Sequence, residues 1–286
     1  MSRPSFRQPG PLGIRHSSAD SVTGEMRSGR ATPASPKKRT KLPTFKNIPR
    51  DELVRTVEER KRNASLISQR GTSLCGAASL MFLTAQHKSG QYADFVTDLY
   101  ENGKARLGEL EITPGQGCKD FNPAGKIAAA DWVALASIRD SENVILDYDD
   151  PSDEAAGITI PSTLASWLEK SGFQSVINNT NLYLTKGEED LKSADQLKRS
   201  GYEVCLFVNA DGLSETPSVR NSVFQMATIP NHWIVLTSNI TIDKESVKFT
   251  VFSWGRGNRP VPFVPMKESS LEMWLQNFYG YVACKP

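Results

Sequence analysis

A cysteine that follows a glutamine by six residues is the first place in the chain where residue types and spacing suggest chemistry. Residues 69–76 read Q-R-G-T-S-L-C-G, and the run A-A-S-L-M-F-L-T-A-Q follows directly. Gly71 and Ser73 favour a loop and the run favours a helix, so Cys75 stands at a predicted helix N-terminus. The partial positive charge at such a terminus stabilises a thiolate, which is the form of cysteine that attacks a carbonyl carbon.

A thiol nucleophile also needs a base, and the chain contains three histidines. His16 lies in a segment that we expect to be disordered. His87 lies farther along the same predicted helix as Cys75, about 18 Å away at ~1.5 Å per residue, which is beyond hydrogen-bonding reach. His232 opens the strand-like run H-W-I-V-L-T, from which its ring can face a helix terminus across a cleft. Cys75 and His232 are therefore the candidate nucleophile and base.

These residues together resemble the papain-like cysteine peptidase superfamily. The residues that carry the resemblance are, in chain order, Gln69, Cys75 with Gly76, His232, and the stretch F-S-W-G at 252–255. The resemblance implies that Cys75 is the nucleophile and that His232 acts first as general base and then as acid. It also implies an oxyanion hole formed by Gln69 and the Cys75 N–H, with Trp254 shielding the imidazole from water. Each residue alone is compatible with a structural role, so the prediction depends on their combination.

One position departs from the family pattern. Phe252 stands where the family has an asparagine that orients the imidazole, and a phenyl ring cannot accept a hydrogen bond from the ring N–H. A hairpin turn D-K-E at 243–245 places His232 opposite residues 253–256, so another side chain there can take this role. The candidates are Ser253, Asn231, Asn258, a main-chain carbonyl and a water molecule.

The order of the predicted elements indicates an α+β fold. Helical patterns cover residues 48–62, 75–87, 91–102, 126–140, 161–171, 187–200 and 269–278. Strand-like runs cover residues 202–208, 232–237, 247–254, 261–264 and 279–284. We therefore predict a helical N-terminal subdomain packed on a C-terminal antiparallel sheet, which is also what the resemblance to papain-like peptidases implies.

The first 47 residues differ in composition from the rest of the chain. They are rich in Ser, Pro, Gly and Arg and contain no Trp or Tyr, so we expect a disordered basic leader over 1–47 and one papain-like domain over 48–286. Residues 1–50 hold eleven Lys and Arg against two acidic residues, a net charge of +9, and the remainder carries −7. The leader can therefore engage a secretion apparatus or an anionic surface, but it lacks the aromatic residues of a stable nucleic-acid partner.

Cysteine spacing and hydropathy exclude several other classes. The four cysteines form no CxxC pair, so we expect no metal, no cofactor and no disulfide framework. No run reaches the ~18 apolar residues of a membrane span, and the N-terminus lacks the apolar segment of a signal peptide. We expect no transmembrane segment and secretion by a non-classical route.

These observations predict a thiol-dependent hydrolase that cleaves a peptide or isopeptide bond in a protein by Cys–His acyl-enzyme chemistry. The acid-poor, Ser-rich leader resembles the leaders of bacterial effectors and toxins, so we expect a secreted virulence protein whose substrate lies in the cytosol of a target or host cell. Two alternatives remain open. The same Cys75–His232 site can serve a transglutaminase or a glutamine deamidase. Alternatively, Phe252 marks a catalytically dead binding module.

Overall fold

The folded unit begins before the boundary that composition indicated. A computed structural model of the protein describes residues 42–142, 159–213, 230–261 and 269–286. Most of the predicted disordered leader, residues 1–47, therefore lies outside the described residues. From residue 42 onward the chain packs on the fold, since Phe45 is fully buried and the Thr44 N–H donates to Tyr100 O at 2.9 Å.

Helices make up most of the first half of the described chain. The α-helices are α1 (Arg50–Arg62), α2 (Cys75–His87), α3 (Ser89–Asn102), α4 (Gln116–Asp120), α5 (Ala129–Asp131), α6 (Ser137–Glu142), α7 (Pro161–Lys170), α8 (Glu188–Arg199) and α9 (Leu271–Leu275). A π-helical turn, Trp132–Ala136, joins α5 to α6. No helix among these is long and apolar enough to cross a membrane.

Helix α2 lies at the centre of the helical layer. All of its residues from Cys75 to Ala85 are buried, which is the pattern of a helix covered on every side. Its small residues allow close approach, and Gly76 shows this best, because a Cβ there would lie 2.4 Å from Thr159 Oγ1. The sequence thus places the first turn of α2 tightly against its neighbours.

The strands form a small hairpin and one larger antiparallel sheet. The strands are β1 (Ala105–Leu107), β2 (Leu110–Ile112), β3 (Gln174–Thr180), β4 (Glu203–Val208), β5 (His232–Leu236), β6 (Thr241–Asp243), β7 (Ser246–Ser253), β8 (Arg256–Val261), β9 (Ser269–Ser270) and β10 (Phe278–Lys285). Strands β1 and β2 pair with each other. The larger sheet has the order β3-β10-β4-β5-β7-β6, with β8 and β9 also paired to β7.

Side-chain alternation in the sheet separates two hydrophobic cores. Trp233 and Val235 of β5 pack with α2 and the other N-terminal helices. Ile234 and Leu236 face the opposite side, where α8 and α9 cover the sheet. Because both faces are covered, β4 and β5 are buried along their whole length. The predicted α+β class and the antiparallel pairing of the C-terminal strands are confirmed.

The hairpin predicted around residues 243–245 is also present. Asp243 pairs with Ser246, and Lys244 has a φ of 43°, the left-handed conformation that a tight two-residue turn requires. Farther from the turn the register shifts by two positions, so Val235 lies opposite Phe252 and the start of β5 lies near the end of β7. The hairpin thus brings together two of the predicted site segments.

Candidate functional site

Cys75 is the first residue of α2, and the N-terminus of this helix has no side-chain cap. The N-cap residue, Leu74, makes no side-chain hydrogen bond to the first main-chain N–H groups. The main-chain N–H groups of Trp233 in β5, of Gly76 and of Cys75 itself each lower the pKa of the Cys75 thiol. The helix terminus therefore offers donors suited to a thiolate or an oxyanion.

His232 is the first residue of β5, and two residues at the end of β7 hold its imidazole. Nε2 lies 2.8 Å from Ser253 Oγ. The indole of Trp254 stacks on the imidazole, with ring centroids 4.5 Å apart and planes inclined by 19°. Because Nε2 is occupied, Nδ1 is the nitrogen available for chemistry. General-base chemistry at Nδ1 requires the tautomer in which Nε2–H donates to the Ser253 hydroxyl.

The main chain of β5 brings the thiol and the histidine next to each other. The Trp233 main-chain N–H, which lowers the pKa of the Cys75 thiol, is separated from the Cα of His232 by one carbonyl carbon. The ring itself turns towards Ser253, and no hydrogen bond among the described residues joins it to Sγ. The two groups are neighbours without a direct bond.

A two-residue turn places Trp254 over the imidazole. Ser253 pairs with Arg256, and the residues between them, Trp254 and Gly255, have positive φ values of 46° and 73°. Positive φ at both positions is what a type I′ hairpin turn needs, and at a bulky residue it costs roughly 1–2 kcal/mol. Gly255 also lies so close to the loop before α2 that a Cβ would come 2.3 Å from Ser68 Cβ. The strained turn is therefore held by that loop.

A buried ion pair holds the loop that carries Gln69. Arg60 of α1 donates two hydrogen bonds of 2.7 Å to Asp131 of α5, and Asp131 Oδ2 also accepts the Ser68 N–H at 3.1 Å. Gln69 O accepts the Thr72 hydroxyl at 2.6 Å, which closes a turn. The Gln69 side chain is buried, and no described residue hydrogen-bonds its amide. Its main chain is thus fixed while its amide remains available.

Phe252, which stands where papain-like peptidases have an asparagine, has a packing role. Phe252 stacks on Phe82 of α2, with ring centroids 4.1 Å apart and planes inclined by 8°. It therefore faces the helix, while its neighbour Ser253 faces His232. Asn231 is not the orienting group, because its Oδ1 accepts the Ala210 N–H at 2.9 Å. Ser253 contacts the imidazole, and the side chain of Asn258, another candidate named from the sequence, lies outside the described part of the structure.

Burial makes both reactive groups neutral in this arrangement. Burial raises the pKa of the Cys75 thiol, although the nearby N–H groups and the positive charge of Arg139 oppose that change. Burial lowers the pKa of His232 to about 3. At neutral pH the site therefore holds a thiol and an uncharged imidazole, and not a thiolate–imidazolium pair.

The other cysteines and the second described histidine lie away from this site. Cys118 is buried in α4, and Cys205 and Cys284 are buried in the sheet. His87 Nε2 lies 2.9 Å from Glu203 Oε1, so this ring is engaged at the far end of α2. In the described part of the chain, no group of three or more His, Cys, Asp or Glu side chains is arranged to hold a metal ion.

Comparisons of the chain with protein-family models, with curated proteins and with solved structures find no match. What the protein does is therefore inferred from the arrangement of these side chains alone.

Proposed function

We propose that the protein is a papain-like, thiol-dependent hydrolase that cleaves a peptide or isopeptide bond in a protein substrate. One observation supports this most strongly. The imidazole of His232 is anchored through Nε2 on Ser253 and covered by Trp254, while the adjacent main-chain N–H of Trp233 lowers the pKa of the Cys75 thiol. A nucleophile, a base and a residue that orients the base are the three parts that nucleophilic catalysis needs.

The reaction starts from the neutral pair. The Cys75 thiol gives its proton to His232 Nδ1, directly or through one water molecule, as the sulfur attacks the substrate carbonyl carbon. The carbonyl oxygen becomes an oxyanion that accepts hydrogen bonds from the Cys75 main-chain N–H and the Gln69 amide. His232 then returns the proton to the leaving nitrogen as the C–N bond breaks. Water hydrolyses the resulting thioester by the same exchange of protons.

The surroundings of Cys75 favour the charged state that this step creates. The N-terminus of α2 carries partial positive charge, and the positive charge of Arg139 lowers the pKa of the thiol. The imidazolium that forms at the same time lies beside the new thiolate, so each charge stabilises the other. Substrate binding that excludes the remaining water strengthens this attraction.

The experiment compares cleavage by the wild-type protein and by a Cys75→Ser variant. Each protein is incubated with a lysate of eukaryotic cells, and new protein N-termini are identified by mass spectrometry. Cys118→Ser, which changes an equally buried cysteine outside the site, is the matched control. We expect new N-termini with the wild type and the control only. Cleavage by Cys75→Ser would remove the assignment, whereas amide-to-acid conversion without new termini would indicate deamidation.

A second candidate, a non-catalytic binding module, is favoured by the absence of a described hydrogen bond between Cys75 Sγ and His232 and by their burial. In that case Cys75 is a packed core thiol. An electrophilic peptide probe that labels Cys75 no faster than Cys118 would support this candidate.

The leader supports a further part of the proposal, namely that the hydrolase is secreted and acts inside a target cell. Residues 1–50, which contain the leader, carry a net charge of +9, and the remaining residues carry −7. A reporter enzyme fused behind residues 1–47 tests this, since delivery into a co-cultured cell is expected with the native leader and lost when its Lys and Arg are replaced by Gln.

A further inference from the structure

A buried hydroxyl without a hydrogen-bond partner lies beside the nucleophile. Thr159 is fully buried, and its Oγ1 finds no partner. Leaving a buried hydroxyl unpaired is unfavourable, and nearly all such groups in proteins are satisfied by protein, water or a ligand. The unpaired hydroxyl of Thr159 is therefore a group whose partner is absent from the described chain.

The position of this hydroxyl is fixed from two sides. The Thr159 side chain packs on the Cα of Gly76, where a Cβ would lie 2.4 Å from Oγ1. Thr159 O accepts the Trp233 indole N–H at 2.8 Å. Trp233 is also the residue whose main-chain N–H lowers the pKa of the Cys75 thiol. Both contacts place Thr159 at the first turn of α2, next to the uncapped N–H groups.

An open cavity at the protein surface begins at Ile160, the residue that follows Thr159. Ile160 is 49% exposed, although Thr159 is fully buried. Ile160 lines a cavity of about 350 Å³ together with Pro161, Leu182 and Tyr183, and the Tyr183 side chain is 80% exposed. Thr159 therefore connects the cavity-lining segment that begins at Ile160 with the first turn of α2, which it contacts at Gly76.

We infer that Thr159 is a substrate-binding residue whose hydroxyl donates a hydrogen bond to a main-chain carbonyl oxygen of the peptide lying across the N-terminus of α2. This inference rests on the proposed function and names one contact of the same site. A carbonyl oxygen of the peptide accepts the hydrogen bond from this hydroxyl. The bond is made in the ground state and in the transition state alike. Its loss therefore weakens binding without slowing the chemical step.

The test uses a dipeptidyl vinyl sulfone, which carries peptide carbonyls, and methyl methanethiosulfonate, which carries none. For Thr159→Val, which keeps the shape and removes the hydroxyl, we expect about a 5-fold higher KI for the vinyl sulfone with an unchanged maximal rate of inactivation. The rate with methyl methanethiosulfonate should stay unchanged. Thr159→Ser should restore the wild-type KI, because it restores the hydroxyl.

Ser171→Ala is the matched control. Ser171 also has a buried, unpaired hydroxyl, but it contacts Lys88, beyond the C-terminal end of α2. Its removal should leave the KI unchanged. A purely structural role for Thr159 predicts that Thr159→Val raises the melting temperature and leaves the KI unchanged, which would overturn the inference. A wild-type protein that the vinyl sulfone does not modify at Cys75 would instead overturn the proposed function and this inference together.

Discussion

His232 Nε2 and Ser253 Oγ lie 2.8 Å apart, at the adjoining ends of β5 and β7. This contact occupies Nε2, so in the proposed hydrolase Nδ1 is the nitrogen that exchanges a proton with Cys75. A short hydroxyl can do this because the type I′ turn at Trp254 and Gly255 sets the end of β7 directly beside the ring. In the proposed function Ser253 takes the orienting role that an asparagine has in papain-like peptidases, while Phe252 packs on Phe82 of α2.

Removing the Ser253 hydroxyl should slow acylation. Ser253→Ala leaves Nε2 of a buried imidazole without a partner and allows the unproductive tautomer, so we expect the rate of Cys75 acylation by a peptide p-nitrophenyl ester to fall by about 10²-fold. Burst kinetics measure this rate. Ser253→Thr, which keeps the hydroxyl and suits a strand, should stay within a few-fold of the wild type. Equal rates for Ser253→Ala and the wild type would contradict the role.

Burial of neutral His232 should make folding stability depend on pH. Its folded pKa of about 3 lies below the ordinary value, so the unfolded chain binds the proton first as pH falls. The stabilisation that neutral His232 contributes to the free energy of unfolding is fully present above about pH 6.5. About 2 kcal/mol of this stabilisation should be lost by pH 5. Urea denaturation above about pH 6.5 and at pH 5 measures this loss of unfolding free energy. The loss in the His232→Gln variant should be smaller by about 2 kcal/mol. An identical pH dependence in the variant would show that the ring is solvated or charged in the folded protein.

The free protein should lack a reactive thiolate at acidic pH. Because burial raises the pKa of Cys75, its reaction with methyl methanethiosulfonate should keep accelerating as pH rises past the ordinary thiol value of about 8.5. Quantitative mass spectrometry of the modified cysteine gives the rate at each pH. A rate that is already at its plateau near pH 5 would indicate a preformed thiolate–imidazolium pair and contradict the neutral ground state.

The buried ion pair between Arg60 and Asp131 should be essential for stability. Asp131→Asn leaves a buried guanidinium without its counter-charge and weakens the bond to the Ser68 N–H, so we expect a loss of about 3–5 kcal/mol in the free energy of unfolding. Glu188→Gln, which removes an exposed partner of Lys192, is the control and should cost under about 1 kcal/mol. Urea denaturation compares the two, and similar losses would show that Asp131 is not an important anchor.

The sequence predicted those parts of the site that depend on local patterns. The loop-to-helix change at Cys75, the strand that opens with His232 and the hairpin at 243–245 all follow from spacing and turn chemistry, and the structure contains each of them. The strand β3 was missed, because its sequence Q-S-V-I-N-N-T is polar and lies at an edge of the sheet. Such a strand lacks the alternation on which strand prediction depends.

Contacts between distant residues could not be predicted in the same way. The Ser68 N–H and Asp131 are 63 positions apart in the sequence. Thr159 and Gly76 are also distant in sequence, and the fold brings them into contact. One signal was available for Asp131, because a single carboxylate within the apolar run A-A-A-D-W-V-A-L-A must find a buried partner. The exact register at the end of β7 decides that Ser253 faces the imidazole, and a residue pattern does not determine that register.

The most direct test of the central claim is the rate at which a dipeptidyl vinyl sulfone modifies Cys75, measured by mass spectrometry of the intact and digested protein. We predict one adduct, on Cys75, in the wild-type protein, and a rate at least about 10²-fold lower in His232→Ala. Modification of Cys118 in place of Cys75, or an undiminished rate in His232→Ala, would contradict the account.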